Sequence, residues 1–119
     1  MHVLVVDDDD VIRSLWTTVL ERAGYQVSSA SDGQEALDYL RQNQPLPDLI
    51  LLDLMMPTMN GWQFLKELRE EPLFASLVVV VISANDIPGK QLASFGIAAY
   101  LQKPVAMKTL LETVAQFSV

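Results

Sequence analysis

Four hydrophobic runs in this chain each end at a residue that can take part in phosphate chemistry. The first ends at Asp7 and Asp8, the second at Asp53, the third at Ser83 and the fourth just before Lys103. If the runs are neighbouring parallel strands, their carboxyl ends share the sheet edge where open α/β folds bind ligands. Three carboxylates, a hydroxyl and an amine would then meet in one crevice. This constellation predicts an aspartate that is phosphorylated with the help of a metal ion.

The three carboxylates predict the metal site. Two carboxylates about 5 Å apart repel by roughly 3 kcal/mol at an effective dielectric constant of about 20. A hard divalent cation relieves this repulsion, and Mg²⁺ (or Mn²⁺) suits a site that offers a few oxygens and retains water. We expect Asp8, Asp53 and the main-chain carbonyl of Met55 to be direct ligands and Asp7 to act through water. The alternative that Asp7 and Asp8 only cap a helix is weaker, because Asp10 can be the cap.

Asp53 differs from the other acids because it ends a strand, so that its carboxylate projects from the rigid sheet edge. A carboxylate beside Mg²⁺ can attack a phosphoryl group and form an acyl phosphate. Ser83 and Lys103 would offer a hydroxyl donor and a positive charge to the phosphoryl oxygens. The Lys103-Pro104 bond can be cis, which would aim the lysine at the crevice. Taken singly, these residues have ordinary alternatives: a turn-forming Asp, a strand-end hydroxyl and a solvated lysine.

Strand-like runs alternate with helical patterns along the chain. Strands are predicted at residues 3–6, 25–29, 49–52, 78–82 and 98–101. The apolar residues with helical spacing are Val11, Ile12, Leu15, Trp16, Val19 and Leu20, then Ala36, Leu37 and Leu40, then Phe64, Leu65 and Leu68, and finally Met107, Leu110, Leu111, Val114 and Phe117. Asp10 is predicted to cap the first helix and Ala23-Gly24 to end it, while Pro45 and Pro72 follow the next two.

Continuous apolar strands between amphipathic helices are typical of a parallel sheet covered on both faces. Five strands and five helices fit the 119 residues as a single domain, residues 1–119. Right-handed crossovers favour an α/β, flavodoxin-like (βα)5 three-layer sandwich with a five-stranded parallel sheet of order 2-1-3-4-5. That order places the first and third strands side by side and brings Asp7, Asp8 and Asp53 together.

Composition narrows the function classes. The chain has no cysteine, which excludes disulfides, thiol nucleophiles and Cys-ligated zinc. A net charge of −7 with eight scattered basic residues argues against direct nucleic-acid binding. Because neither a membrane span nor a signal peptide is recognisable, a soluble cytoplasmic protein is expected. Met1 lies just before the first strand and favours a genuine start, whereas Val119 leaves open whether an output domain follows.

Four segments together resemble the receiver domain of bacterial two-component response regulators, over essentially the whole chain. They are VLVVDDDD, PDLILLDLMMPTMNGWQFL with its MP-x-M-x-G pattern, VVVISA and YLQKP. The resemblance implies that Asp53 is the phosphorylated residue, that Asp7 and Asp8 hold Mg²⁺, and that Lys103 contacts the phosphoryl group.

The resemblance also implies a switch and partners. Ser83 would move toward the phosphoryl group and Tyr100 would rotate inward. The donor would be a histidine kinase or a histidine phosphotransfer protein, and the target a downstream protein, an output domain or a second copy in a phosphorylation-dependent dimer. Such a domain is not an enzyme beyond its own phosphorylation and dephosphorylation. In one departure from the family pattern, Ile87-Pro88-Gly89 interrupts the expected fourth helix, which we expect to be short or irregular.

Other functions remain open. A phosphorylation-independent adaptor (pseudo-receiver) would keep the fold but make the crevice a vestige. A phosphatase of the haloacid dehalogenase type is disfavoured, because that class has a second Asp where this chain has Met55. Flavin or dinucleotide binding is disfavoured because the first strand ends in acids and not in a glycine-rich phosphate cradle. Met55, Met56 and Met59 are assigned to loop packing, since thioether sulfur is a poor Mg²⁺ ligand.

Overall fold

A parallel sheet organises the chain. The computed structural model describes residues 1–43, 45–56, 59–84 and 93–118. In these ranges the strands are β1 (His2–Val6), β2 (Gln26–Ala30), β3 (Leu49–Asp53), β4 (Val78–Ser83) and β5 (Ala99–Gln102). The helices are α1 (Asp10–Arg22), α2 (Gly33–Gln42), α3 (Gly61–Glu70) and a C-terminal helix (Met107–Gln116).

The strands are all parallel and follow the order β2-β1-β3-β4-β5, which confirms the predicted flavodoxin-like sheet. The predicted strands agree with the observed ones to within two residues at each end. The expected start of the fourth helix, with Ile87, Pro88 and Gly89, lies outside the described residues.

Two apolar layers lie on opposite faces of the sheet, because successive strand residues alternate in direction. The layer beneath α2 and α3 contains Leu4, Val6, Ile50, Leu52, Val79 and Val81. The layer beneath α1 and the C-terminal helix contains Val3, Val5, Leu49, Leu51, Val80 and Ile82. All of these side chains are fully buried, as expected for strands covered on both faces.

The N-terminal cap of α1 corrects the prediction. Asp9, and not Asp10, is the cap: its Oδ1 accepts hydrogen bonds from Val11 N at 2.9 Å and Ile12 N at 3.1 Å. Asp10 is the first helical residue and forms an ion pair with Arg13. In a run of four aspartates, neighbouring positions offer the same side chain, so residue type cannot identify the one with the required extended backbone.

The buried face of α1 is also narrower than predicted. Trp16 and Leu20 are buried, whereas Val11 is 76% exposed and Leu15 is 47% exposed. The six apolar positions of this helix span a wider arc than the stripe that contacts the sheet. The exposed pair therefore lies at the margin of the helix face.

The remaining helices agree with their predicted apolar faces. Their buried apolar residues are Ala36, Leu37 and Leu40 in α2, Phe64, Leu65 and Leu68 in α3, and Leu110 and Val114 in the C-terminal helix. Asn60 caps α3 in a reciprocal pair, accepting a bond from Gln63 N while the Gln63 side chain accepts one from Asn60 N. Among the described residues, no helix has the length and apolar character to cross a membrane.

Candidate functional site

Three aspartates meet at the carboxyl edge of the sheet. Asp7 follows β1 directly and Asp53 ends β3, and these two strands are hydrogen-bonded neighbours. Asp7, Asp8 and Asp53 each offer a carboxylate oxygen that lies within 4.8 Å of the other two. Asp7 is fully buried and Asp53 is 3% exposed, whereas Asp8 is exposed. Solvent therefore reaches the cluster at Asp8.

The main chain holds one oxygen of each buried acid. Asp9 N donates a 2.8 Å hydrogen bond to Asp7 Oδ1, and Met55 N donates one of 3.2 Å to Asp53 Oδ1. The second oxygen of each acid faces Lys103, whose Nζ lies 3.4 Å from Asp7 Oδ2 and 3.5 Å from Asp53 Oδ2. These contacts fix the orientation of both carboxylates.

Both the backbone and the ammonium group of Lys103 make contacts that hold the residue in place. Its main-chain N donates a 2.8 Å hydrogen bond to the carbonyl oxygen of Ser83, and the Lys103-Pro104 peptide bond is cis. One ammonium faces two buried carboxylates, and the exposed Asp8 adds a third negative charge. When all three acids are ionised, the cluster therefore keeps an excess of negative charge.

Burial raises the pKa of Asp53 from 3.8 to about 6, and the Asp7 carboxylate adds to the rise. The Met55 N–H and the charge of Lys103 act in the opposite direction. A strongly perturbed carboxyl group at a sheet edge is a candidate functional group. At neutral pH, Asp53 is still mostly ionised and can serve as a ligand or a nucleophile.

The donor set fits a hard divalent cation such as Mg²⁺ or Mn²⁺, which binds carboxylate oxygens. Across the described ranges, Asp7, Asp8 and Asp53 form the only group of three or more acidic or histidine side chains close enough to share an ion. The neighbouring Lys103 neutralises part of the charge without filling the role of a ligand. Coordination by the Met55 carbonyl, and by Asp7 through water, stays a prediction.

The two residues assigned to the switch occupy strands β4 and β5. Ser83 ends β4 and is 2% exposed, so it lies at the same sheet edge as Asp53. Tyr100 lies in β5, is partly buried and packs against the layer beneath α2 and α3. Their roles in switching stay a prediction.

The packing of the start of α3 against the end of β3 depends on Gly61, which the sequence reasoning did not single out. A Cβ atom on Gly61 would lie 2.6 Å from Leu54 Cα and 3.1 Å from the Asp53 carbonyl oxygen. Gly61 N also donates a 2.9 Å hydrogen bond to the Leu54 carbonyl. Only glycine permits this close approach of α3 to the end of β3. Its place in the MP-x-M-x-G pattern was the available signal.

The methionines near the site pack as predicted in two of three cases. Met56 is 7% exposed, and Met59 is a partly buried neighbour of the same apolar layer. Met55 is 62% exposed, so its assignment to loop packing was wrong. Its main-chain N–H donates to Asp53 Oδ1, so the backbone of Met55 contributes to the site while its side chain is exposed.

Two residues of α1 also reach the site, although their helical spacing did not indicate it. Arg13 Nη1 donates a 2.7 Å hydrogen bond to the carbonyl oxygen of Asp7. The Trp16 ring lies beneath the Lys103 ammonium, with 5.9 Å between Nζ and the ring centroid. The Trp16–Lys103 pair joins residues far apart in sequence and requires the assembled fold, so periodicity does not reveal it.

The family model of the response regulator receiver domain matches residues 3–115. The alkaline phosphatase synthesis transcriptional regulatory protein SphR of Synechococcus elongatus is 36% identical over 119 residues. That match covers 92% of this chain and 46% of SphR. The chain thus spans about half the length of this relative.

Solved structures of the family show the same fold. The chemotaxis protein CheY4 of Vibrio cholerae has a TM-score of 0.88 and 32% identity, with 98% of this chain and 97% of that chain covered. The response regulator protein TrrA of Thermotoga maritima, solved in complex with Mg²⁺-BeF, has a TM-score of 0.83 and 28% identity, with coverages of 98% and 97%. Sequence, topology and acidic crevice agree, and the chain belongs to the response regulator receiver domain family of two-component systems.

Proposed function

We propose that this receiver domain accepts a phosphoryl group on Asp53 in a Mg²⁺-dependent reaction. The observation that carries the proposal is the setting of the Asp53 carboxylate. It ends a strand, is 3% exposed, lies 3.5 Å from Lys103 Nζ and belongs to a carboxylate cluster only 4.8 Å across. A purely structural aspartate needs neither the other acids nor the lysine.

In the proposed reaction, Asp53 is the nucleophile. A carboxylate oxygen forms a bond to phosphorus, the bond from phosphorus to the leaving group breaks, and the leaving group takes the electron pair. With a phosphohistidine donor that is protonated on its other ring nitrogen the leaving group is neutral imidazole, and with acetyl phosphate it is acetate. Because the pKa of Asp53 is about 6, the ionised nucleophile predominates at neutral pH.

The neighbouring residues would bind and orient the transferred group. Lys103 would pair with a phosphoryl oxygen, and Ser83 would donate its hydroxyl. Asp7, Asp8 and Asp53, with the Met55 carbonyl, would hold Mg²⁺. The bound ion would neutralise charge on the phosphoryl oxygens. The Mg²⁺-BeF complex of TrrA supports this assignment by family relationship.

Phosphorylation would act as a switch by shifting the population of two conformations. Ser83 would bond to the phosphoryl group and Tyr100, now partly buried in β5, would rotate further inward. The shift is limited by how much better the phosphorylated site is bonded in one state than in the other. The donor would be a cytoplasmic histidine kinase or a phosphotransfer protein, and the target an output domain, a downstream protein or a second copy.

Intact-protein mass spectrometry after incubation with acetyl phosphate and Mg²⁺ tests the proposal. Wild-type protein should gain the mass of one phosphoryl group, and chelation of the metal should suppress the gain. Asp53→Asn should gain nothing. The matched control is Asp38→Asn, at an exposed aspartate of α2, which should behave as wild type. Wild-type protein that stays unmodified at every Mg²⁺ concentration would contradict the proposal.

A further inference from the structure

Lys103 has a third neighbour besides its two carboxylates. Its Nζ lies over the Trp16 ring, 5.9 Å from the centroid, while it is 3.4 Å from Asp7 Oδ2 and 3.5 Å from Asp53 Oδ2. The Trp16 side chain is itself held in place, because the residue is only 3% exposed and packs in the layer beneath α1. The aromatic face is therefore a fixed surface that lies within cation–π range of the ammonium.

The surroundings of this pair are mainly apolar and only partly exposed to solvent. Trp16 and Leu15 of α1, with Lys103 and Val105 from the segment after β5, line a mainly apolar cavity of about 360 Å³. The lysine side chain is 20% exposed. A cation over an indole face is attracted by the ring quadrupole, and the attraction grows as the pair is desolvated.

We propose that Trp16 is a positioning residue for Lys103. Lysine has a long flexible stem and a strongly hydrated head, so the two carboxylates alone leave the ammonium several accessible positions. The indole ring of Trp16 occupies the space on the α1 side of the ammonium. It thereby limits the positions open to Nζ and keeps Nζ beside Asp53. Since Lys103 matters in this way only if Asp53 is phosphorylated, the effect on rate rests on the proposed function.

A pair of substitutions separates the ring face from simple packing. Trp16→Leu keeps an apolar side chain without a π face and should slow phosphorylation by acetyl phosphate at saturating Mg²⁺ by roughly threefold to tenfold. Trp16→Phe keeps a ring and should restore most of the rate, although it also loses volume. Trp62→Leu, at the tryptophan of α3 that packs on Phe95 with 5.5 Å between ring centroids, should leave the rate unchanged. Equal rates in Trp16→Leu and Trp16→Phe would overturn the proposal.

A fluorescence measurement tests the contact without phosphorylation. The chain has two tryptophans, so Trp62→Phe leaves Trp16 as the single emitter. In that background, Lys103→Met should change the emission of Trp16, and Lys108→Met, at a lysine whose side chain is 87% exposed, should not. An emission indifferent to Lys103→Met would overturn the contact. A change in Trp16 emission supports the contact even if the wild-type protein takes up no phosphoryl group. In that case the proposed function would be wrong while the Trp16–Lys103 contact would stand.

Discussion

The main-chain nitrogen of Lys103 donates a 2.8 Å hydrogen bond to the carbonyl oxygen of Ser83. This bond joins the segment that follows β5 to the end of β4, and it does not involve the lysine side chain. The ammonium makes separate contacts of 3.4 Å with Asp7 and 3.5 Å with Asp53. The backbone position of Lys103 and its charge can therefore be separated by mutation.

Lys103→Met should raise the pKa of Asp53 further while the Ser83 bond keeps the chain in place. The reason is that the charge of Lys103 lowers this pKa in the wild-type protein. A carbon-13 NMR titration of the Asp53 carboxyl group, without metal, measures the change. Lys108→Met, at an exposed lysine 3.9 Å from Glu112, is the control and should leave the titration unaltered. An Asp53 pKa that falls in Lys103→Met would refute the assigned charge contact.

Asp53→Asn should change how stability depends on pH in metal-free protein. Folding raises the pKa of Asp53 from 3.8 to about 6, so the folded state binds more protons between these values. The stability that Asp53 contributes is fully present below pH 3.8 and is lost as pH rises through about 6. The free energy of unfolding falls by at most roughly 3 kcal/mol over this range.

Urea unfolding from pH 4 to pH 8 in the presence of a chelator measures this difference. In Asp53→Asn the free energy of unfolding should lack the decrease that Asp53 causes as pH rises. This variant should therefore be more stable than the wild-type protein at pH 7. The difference between the two curves reports the loss of the Asp53 carboxyl group together with its coupling to Asp7 and Lys103. Parallel curves would show that the pKa of Asp53 is not raised by folding.

The sheet and the meeting of the aspartates follow from the sequence, because they depend on features that a linear pattern carries. Apolar runs specify buried parallel strands, and strand order then places Asp7 beside Asp53. The cap of α1 depends on which of two adjacent aspartates has extended backbone, and the pattern does not distinguish them. The Trp16–Lys103 contact depends on how α1 packs over the sheet edge, which helical spacing alone does not specify.

Mg²⁺ should raise the melting temperature of the wild-type protein, because an ion that binds only the folded state stabilises it. At about 100 times the dissociation constant, the gain is roughly 2.7 kcal/mol. Asp8→Asn should melt higher than wild type without metal, since it removes one charge from the 4.8 Å cluster, and should respond less to the ion.

Thermal melts with Mg²⁺ and with a chelator provide this comparison, and Asp38→Asn controls for the loss of an exposed charge elsewhere. If Asp8→Asn and Asp38→Asn respond equally to Mg²⁺, the carboxylate cluster is not where the ion binds.

Asp9→Ala should lower the free energy of unfolding by about 1 kcal/mol, because it leaves Val11 N and Ile12 N without their cap. Asp10→Ala removes an exposed ion pair with Arg13 and should cost less than about 0.5 kcal/mol. Chemical denaturation of the two variants is a matched comparison, since each removes one carboxylate from the same run. Equal losses of unfolding free energy in the two variants would contradict the assignment of Asp9 as the cap.

Gly61→Ala should disturb the site as well as the fold. Its Cβ would lie 2.5 Å from Leu54 Cδ2 and 2.6 Å from Leu54 Cα, so the backbone next to Asp53 must move. Gly24→Ala is the control: Gly24 has φ +100° and open space around it, so alanine there is strained by roughly 1 to 3 kcal/mol without contacting the site. Both variants should be less stable, but only Gly61→Ala should weaken Mg²⁺ binding, measured by calorimetry at a temperature where both are folded. Wild-type Mg²⁺ affinity in Gly61→Ala would mean that the end of β3 holds its position independently of α3.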